Sequence, residues 1–184
     1  MSYFVTADTH FGHAKIIGYC DRPFSSVEEM NKGLVDNWNS VVKPEDVVFH
    51  LGDVGFGKSG FSCVSQCNGR KILIRGNHDS GVSSSAFIRH GFEAVYKRYE
   101  NPFVYYPRGL NSEACRVIFS HFPEEASFPT PNIPCLCGHV HEKWDYRNGW
   151  LNVGVDVWNF KPILLSHAVE TWNAARQLGT FMGF

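Results

Sequence analysis

Short apolar runs rich in β-branched residues recur along the chain, and polar segments separate them. The runs cover residues 3–7, 47–51, 71–75, 116–120, 133–137 and 150–155. Their length and their content of valine, isoleucine and aromatic residues predict buried β-strands rather than helices. Residues 92–106 predict two more strands, one on each side of the turn Glu100-Asn101-Pro102.

One segment between the first two runs has the spacing of an amphipathic helix. Between residues 25 and 42, apolar side chains recur every three or four positions: Val27, Met30, Leu34 and Trp38. Ser25 or Ser26 can cap the start of this helix. A shorter helix is predicted over residues 83–91, where Gly91 ends it. Helices that alternate with strands early in the chain, followed mostly by strands, predict an α+β fold with helices outside a mixed sheet system.

Composition places the chain among ordinary globular proteins. Hydrophobic residues make up 43% and charged residues 19% of its 184 residues, which suits one domain over residues 1–184. Seventeen basic side chains are balanced by eighteen acidic ones, so net charge gives no reason to expect nucleic acid or an anionic membrane as a partner. The N-terminus lacks the pattern of a signal peptide, and no apolar run approaches the roughly 18 residues that span a bilayer.

The six cysteines show no Cys-x-x-Cys pair. Their tightest spacings are Cys63 to Cys67 and Cys135 to Cys137. We favour free thiols in a reducing compartment, and these spacings disfavour the alternative of a structural zinc site. We therefore expect a cytoplasmic protein.

Side chains that can bind metals follow five of the apolar runs, often directly after a glycine. They are Asp8 and His10, Asp53, Asn77 with His78 and Asp79, His121, and His139 with His141. Because sites in layered α/β folds gather at the carboxyl ends of strands, we expect these side chains to converge. Two of these carboxylates, the amide oxygen and four of these imidazoles would already be too many ligands for one tetrahedral zinc ion, and they suit two metal ions that share a carboxylate.

Each of these motifs has an ordinary structural explanation when it is taken alone. An Asp-x-His pair is more often a surface or core detail, and Gly-Asn-His-Asp can be a simple turn. The rings of His139 and His141 point to one face of a strand, which also suits a solvated strand edge. The joint occurrence of the motifs, each after a predicted strand, is what predicts a metal site.

The order of the motifs resembles that of the calcineurin-like metallophosphoesterase superfamily. Its signatures stand here as Asp8-Thr9-His10, Gly52-Asp53-Val54-Gly55, Gly76-Asn77-His78-Asp79, Ser120-His121 and Gly138-His139-Val140-His141. The resemblance covers residues 8–141, and the short chain resembles the small bacterial, archaeal and phage members. It implies a four-layer α/β/β/α sandwich, in which two mixed sheets are flanked by helices and the site lies at one edge.

The resemblance also implies a role for each motif residue. The ligand sets that it implies are Asp8, His10 and His141 for one metal ion, Asn77, His121 and His139 for the other, and Asp53 as a bridge. His78 would be the catalytic residue that contacts the phosphate and assists the leaving group, a role that suits an imidazole near neutral pH. Mixed oxygen and nitrogen ligation favours manganese, with iron, zinc, cobalt or nickel as alternatives, over magnesium or calcium.

The expected reaction is hydrolysis of a small phosphate ester by attack of metal-activated hydroxide on phosphorus. Phosphodiesters, including nucleotide-type diesters, are favoured because small relatives often act on diesters, and a phosphomonoesterase is the alternative. A nuclease is a third choice, since nucleic acid is compatible with the chain but not indicated by its charge. A catalytically silent scaffold that binds metals and acts through partners is the alternative from another class. Assembly into a homo-oligomer is compatible with such a small protein.

Several residues near the motifs allow two interpretations. Arg22 is predicted, with Asn77, to bind the substrate phosphate, and a surface arginine is the alternative. Asp156 is interpreted as a turn residue in preference to a support for a ligand histidine. His50 is predicted to lie in the core and His13 to be a supporting or surface histidine. Core positions are favoured over base stacking for the aromatic residues between the motifs, which are Tyr99, Phe103, Tyr105, Tyr106, Phe122, Trp144, Tyr146 and Trp150.

Overall fold

The computed structural model describes residues 1–97, 103–105, 114–123 and 132–181. Within these ranges the chain forms ten strands and five helices. The strands are Tyr3–Thr6 (β1), Val47–His50 (β2), Arg70–Ile74 (β3), Phe92–Tyr96 (β4), Phe103–Tyr105 (β5), Cys115–Ser120 (β6), Cys135–Cys137 (β7), Tyr146–Arg147 (β8), Trp150–Asn152 (β9) and Ile163–Leu164 (β10). The helices are Ala14–Tyr19 (α1), Val27–Asn39 (α2), Gly57–Ser65 (α3), Ser84–Arg89 (α4) and Leu165–Phe181 (α5).

Two mixed sheets of five strands each form the centre of the fold. In the first sheet the strand order is β10-β1-β2-β3-β4, with β1 to β4 parallel and β10 antiparallel to β1. In the second sheet the order is β5-β6-β7-β9-β8, with β6, β7 and β9 parallel and both outer strands antiparallel. Two mixed sheets with helices confirm the predicted α+β class, and each of the six apolar runs contains a strand.

The two sheets pack on each other through aromatic side chains. Phe49 on β2 and Phe119 on β6 have ring centroids 4.7 Å apart, and Phe103 on β5 lies 4.6 Å from Phe49. Helix α5 contacts strands of both sheets, β1 and β10 in the first and β9 in the second. Because protein interiors are close-packed, this apolar layer holds the two sheets in one relative position. That position matters because the candidate site draws residues from both sheets.

Helices α2, α3 and α4 cover the other face of the first sheet. The predicted helical spacing is confirmed in α2, where the buried side chains are Met30, Leu34 and Trp38. Ser26 caps this helix, because its side chain accepts a hydrogen bond from the N–H of Glu29 at 3.1 Å. Ser83 caps α4 in the same way, and Gly91 follows the end of that helix with φ +93°.

Two features differ from what the pattern predicts. The sequence pattern predicts no helix over residues 54–69, yet α3 forms there because the packing of Phe61 and Val64 in the core outweighs the low helix propensity of its glycines. Strands β4 and β5 flank the predicted turn, but they belong to different sheets. The turn itself, residues 100–102, lies outside the described residues.

All six cysteines are free thiols, as predicted, and Cys67, Cys135 and Cys137 are buried. Among the helices in the described part of the chain, none combines the length and the apolar character that crossing a bilayer requires.

Candidate metal centre

Loops that leave the carboxyl ends of parallel strands converge where the two sheets meet. The first sheet contributes Asp8 after β1, Asp53 after β2 and Asn77 after β3, and the second contributes His121 after β6 and His139 after β7. An isolated parallel bridge between Ala7 and Gly154 joins the end of β1 to the chain that follows β9. The predicted motif residues are therefore brought to one place, at the junction of the two sheets.

Five of these motif residues have a left-handed backbone conformation. They are Asp8 (φ 57°), His10 (49°), Asp53 (57°), His139 (71°) and His141 (51°). A positive φ is uncommon for residues other than glycine and costs free energy, so such residues cluster at functional sites. These unfavourable backbone conformations direct the motif side chains toward one another.

Glycines next to the motif residues allow the loops to approach closely. A Cβ atom on Gly76 would lie 2.2 Å from Oδ1 of Asp53, and one on Gly138 would lie 2.7 Å from Oδ2 of Asp8. Real Cβ atoms do not make contacts this short, so any side chain at either position would displace a carboxylate.

One group of candidate ligands consists of Asp8, His10 and His141, whose donor atoms lie within 4.8 Å of one another. Oδ1 of Asp8 and Nε2 of His10 are buried and have no hydrogen-bond partner among the described residues. Buried polar atoms normally have partners because an unpaired one costs free energy. Nδ1 of His141 lies 3.0 Å from Oδ2 of Asp156, so Nε2 is the ring nitrogen that could bind a cation. The group therefore fits a divalent metal ion.

A second group consists of Asn77, His121 and His139. Oδ1 of Asn77 lies 3.0 Å from Nε2 of His121 and 3.1 Å from Nδ1 of His139. Nδ1 of His121 lies 2.7 Å from the carbonyl oxygen of Leu51 and donates its proton there. Nε2 of His121 then presents a lone pair to the amide oxygen of Asn77. Two acceptors that face each other repel, and a cation between them would turn both into ligands.

Asp53 lies between the two groups. Its Oδ2 is 3.5 Å from Nε2 of His10 and 3.6 Å from Nε2 of His121. Its Oδ1 accepts a hydrogen bond from the backbone N–H of His78 at 2.9 Å, which fixes the orientation of the carboxylate. Asp53 is thus placed to reach a cation in either group.

Comparison with known proteins identifies the family. The sequence profile of calcineurin-like phosphoesterases matches residues 1–178. The chain belongs to the calcineurin-like phosphoesterase family. An uncharacterised protein of Methanocaldococcus jannaschii is 34% identical over 175 residues, which cover 91% of this chain and 89% of that protein. The gene 66 protein of Mycobacterium phage L5 is 37% identical over 79 residues, 40% of this chain and 38% of that protein.

Among solved structures, the crystal structure of a protein of unknown function from Aquifex aeolicus is similar, with a TM-score of 0.67 and 25% identity. The match covers 92% of this chain and 98% of that one. These comparisons confirm the family that the order of the motifs predicts. They support a metal-binding phosphoric ester hydrolase.

Burial shifts the pKa values of candidate ligands in this calcineurin-like phosphoesterase. Burial raises the pKa of Asp8 to about 8 and the pKa of Asp53 to about 6. Burial lowers the pKa of His121 to about 4. Such shifts are typical of functional sites, and a bound cation would favour the ionised carboxylates and neutral imidazoles that metal ligation requires.

Arg22 has a different position from either one predicted for it. Only 4% of the residue is exposed, and its Nε and Nη2 atoms lie 2.7 and 3.0 Å from the two carboxylate oxygens of Asp156. The guanidinium also donates to the carbonyl oxygens of Asp8 and Thr9. The structure therefore contradicts both a substrate contact and a surface arginine, because the guanidinium is turned into the protein.

Asp156 is likewise more than the turn residue that was favoured from the sequence. It lies in the short 3₁₀ turn Val155–Val157 and accepts hydrogen bonds from both His141 and Arg22. The only sequence signal of this role was a single carboxylate in an otherwise apolar segment.

Asp79 supports the loops of the centre, whereas the sequence groups it only with the side chains that can bind metals. Its carboxylate accepts hydrogen bonds from the backbone N–H groups of Asp53 and Gly76, both at 2.8 Å, and of Val54 at 3.1 Å. One buried side chain therefore joins the loop after β2 to the loop after β3.

His50 is confirmed as a core histidine and is 1% exposed. Its Nε2 lies 2.9 Å from Oγ1 of Thr9, and that hydroxyl donates to the carbonyl oxygen of Val54 at 2.8 Å. Burial lowers the pKa of His50 to about 3, so the ring is neutral. Thr9, between Asp8 and His10, is tied in this way to the loop after β2.

The rim of the centre carries His78 and aromatic rings. The side chain of His78 is 44% exposed, and its ring lies 5.4 Å from that of His10 and 5.2 Å from that of Phe56. Phe122 lies 4.6 Å from the ring of His139. Of the other aromatic residues considered for base stacking, Phe103 and Trp150 pack in apolar clusters, and Tyr99 and Tyr106 lie outside the described residues.

Proposed function

We propose that this protein hydrolyses phosphodiesters, including nucleotide-type diesters, with two divalent cations bound at the junction of its sheets. The observation that carries the proposal is the convergence of metal-ligating atoms on both sides of Asp53. Asp8 and His10 supply them on one side. Asn77 and His121 supply them on the other. A cation in each group would satisfy both sets and share the Asp53 carboxylate, which is the arrangement of two-metal hydrolytic sites.

The proposed ligands are Asp8, His10 and His141 for one cation, Asn77, His121 and His139 for the other, and Asp53 for both. Their mixture of carboxylate, amide and imidazole donors suits manganese first, and iron, zinc, cobalt or nickel as well. When bound, such cations polarise the phosphoryl group and lower the pKa of water, which serves as the nucleophile.

His78 is assigned the catalytic role on the rim. Its backbone N–H is bonded to Asp53, and its Nε2 lies 3.9 Å from Oδ2 of the same carboxylate. A phosphoryl group bound over Asp53 would therefore meet the imidazole of His78. The ring is placed to donate a hydrogen bond to a phosphoryl oxygen and a proton to the departing oxygen. Asn77, which is exposed beside it, keeps its predicted contact with the substrate as part of the proposal.

The inward position of Arg22 favours diesters over monoesters. A phosphomonoester carries a charge of about −1.5 to −2 near neutral pH, whereas a diester carries a single charge. The donors of Arg22 are bonded to Asp156 and to two backbone carbonyl groups. Arg22 therefore does not neutralise the second negative charge of a bound monoester. The proposed substrate is accordingly a small phosphodiester.

The test compares hydrolysis of bis-p-nitrophenyl phosphate with that of p-nitrophenyl phosphate, with manganese supplied. The Asp53→Asn variant removes the shared carboxylate charge, and Asp36→Asn is the matched control because Asp36 lies on the exposed face of α2. We expect manganese-dependent turnover that prefers the diester, loss of turnover in Asp53→Asn, and wild-type turnover in Asp36→Asn.

The alternatives give different results in the same experiment. Preference for p-nitrophenyl phosphate would replace the diesterase by a phosphomonoesterase. Manganese binding by calorimetry, with neither ester hydrolysed, would favour a silent metal-binding scaffold. Absence of binding of manganese, iron, zinc, cobalt and nickel by the folded protein would refute the metal centre itself.

A further inference from the structure

A tight turn places His13 directly beside His10. The N–H of His13 donates to the carbonyl oxygen of His10 at 3.0 Å, and Gly12 within the turn has φ +78°. A Cβ atom on Gly12 would lie 2.7 Å from the carbonyl oxygen of Phe56. The N–H of Gly12 also donates to Oδ1 of Asn31 on α2 at 2.8 Å. The position of His13 is therefore set by the fold rather than by the freedom of a surface loop.

The two ring nitrogens of His10 face different surroundings. Nε2 is buried without a hydrogen-bond partner among the described residues and lies 3.5 Å from Oδ2 of Asp53. Nδ1 lies 3.4 Å from Nδ1 of His13. A histidine that binds a cation through Nε2 is neutral and carries its proton on Nδ1, where it needs an acceptor to fix the ring. Nδ1 of His13 is placed to accept that bond.

This bond decides the tautomer of His13 as well. If Nδ1 of His13 accepts a hydrogen bond from the Nδ1–H of His10, the proton of neutral His13 is on Nε2, the nitrogen that this bond does not use. The ring of His13 is half-buried against Phe56, with centroids 4.5 Å apart, and lies 6.3 Å from the ring of His78. The ring of His13 therefore lies on the same rim as His78, and Nε2–H is its remaining donor.

We propose that His13 has two roles, as the acceptor that holds His10 in its ligating orientation and as an N–H donor to the bound phosphate ester beside His78. This inference rests on the proposed function. It adds a positioning residue and a substrate contact that neither the motif order nor the family membership assigns. The two roles use different nitrogens of one ring, so they can be separated by substitution.

Two amide variants separate the roles. In His13→Asn, the amide oxygen can replace Nδ1 as the acceptor for His10, while the outward donor is lost. In His13→Gln, the longer amide can replace the outward N–H, while the acceptor beside His10 is lost. His13→Ala removes both groups. His90→Asn is the matched control, because His90 ends α4 and packs on Phe61 away from the centre.

Each role has its own readout. Calorimetric titration of the metal-free protein with Mn²⁺ measures metal affinity, which depends on the orientation of His10. This measurement needs no substrate. We expect binding about 10–100-fold weaker in His13→Ala and His13→Gln, and near-normal binding in His13→Asn and His90→Asn. Turnover of bis-p-nitrophenyl phosphate at saturating Mn²⁺ measures the outward donor. Here we expect kcat/KM to fall about tenfold in His13→Asn and His13→Ala, with His13→Gln retaining most of it.

The outcomes distinguish this inference from the proposed function. Wild-type manganese affinity in His13→Ala would overturn the positioning role, and wild-type kcat/KM in His13→Asn would overturn the donor role. If the wild-type protein binds Mn²⁺ but hydrolyses neither ester, the proposed function fails, whereas the affinity series still decides the role of His13 toward His10. Thermal unfolding of every variant confirms that a loss of affinity is not a loss of fold.

Discussion

Asp156 accepts a hydrogen bond from Nδ1 of His141 at 3.0 Å, although fifteen positions separate the two residues in the chain. Arg22 holds the same carboxylate from the other side, at 2.7 Å. Burial by itself would raise the pKa of Asp156, but hydrogen bonds from His141 and Arg22 outweigh it and lower that pKa. When a cation displaces one proton from His141, this ionised carboxylate keeps the other proton on Nδ1 and leaves Nε2 as the ligand atom.

Replacing Asp156 by asparagine tests this arrangement. The amide keeps the shape of the side chain but removes the charge that balances Arg22, which has a side-chain exposure of 0%. We expect manganese affinity to fall about 10–100-fold. The free energy of unfolding should fall by about 3–5 kcal/mol because a buried charge is left unpaired. Calorimetric titration and urea unfolding measure the two effects, and unchanged affinity would show that His141 needs no such support.

Asp79→Asn tests the link between the loops after β2 and β3. An asparagine would present an N–H group to backbone N–H donors that now reach the Asp79 carboxylate. We expect a loss of about 1–3 kcal/mol in the free energy of unfolding, since a buried donor loses its acceptor. Manganese binding should weaken too, because the loop that carries Asp53 shifts. Chemical unfolding followed by circular dichroism checks the first effect, and a stability equal to that of the wild type would contradict it.

Gly76→Ala tests the close approach of two loops. The new Cβ would lie 2.2 Å from Oδ1 of Asp53 and 2.7 Å from its backbone nitrogen, so the carboxylate must move. We expect a cost of about 1–3 kcal/mol in stability and manganese-dependent turnover lowered at least about tenfold. Gly81→Ala is the matched control in the same loop, because a Cβ there meets nothing within 4 Å. Equal turnover in the two variants would show that the loop can absorb the methyl group.

The stability of the metal-free protein should depend on pH through Asp8. Burial raises its pKa from 3.8 to about 8, so near pH 7 the native state retains a proton that the unfolded chain has lost. The free energy of unfolding then falls as pH rises toward 8, by up to about 1.4 kcal/mol per pH unit for each proton retained. His141 acts in the same direction, because hydrogen bonding to Asp156 outweighs burial and raises its pKa to about 10.

A divalent cation should reverse this dependence. Ligation requires ionised Asp8, so stabilisation by Mn²⁺ increases as pH rises over the same range. Melting temperatures measured with chelator and with Mn²⁺, at pH 7 and pH 8, test both statements. A metal-free protein whose melting temperature rises with pH would contradict the assignment of the retained proton.

The sequence predicts the candidate centre better than it predicts the supports of that centre. Asp8, Asp53 and His121 each follow a short apolar run, and this local pattern is enough to place them at the ends of strands. The pairing of Arg22 with Asp156 spans 134 positions, and no local pattern indicates which carboxylate a buried arginine will meet. Arg22 was therefore predicted to face the substrate, where its charge would be useful, and not the interior.

Helices, like site residues, are predicted well from local spacing and poorly where distant packing decides. The spacing of Met30, Leu34 and Trp38 indicates α2 directly. In α3, Gly57 and Gly60 lower the helix propensity of the segment. The helix forms because its apolar face packs against the core. A Cβ on Gly60 would lie 2.3 Å from the carbonyl oxygen of Phe11, so the glycine that weakens the helix also admits the ligand loop beside it.

The centre joins residues that are far apart along the chain, because it lies between the two sheets. Asp8 in the first sheet and His139 in the second are 131 positions apart and are joined by a hydrogen bond of 2.9 Å. A cation held by both Asp8 and His141 would close a loop of similar length, which removes configurational entropy from the unfolded chain as a disulfide does. Amide protons in the loops after β6 and β7 should therefore exchange with solvent more slowly when Mn²⁺ is bound.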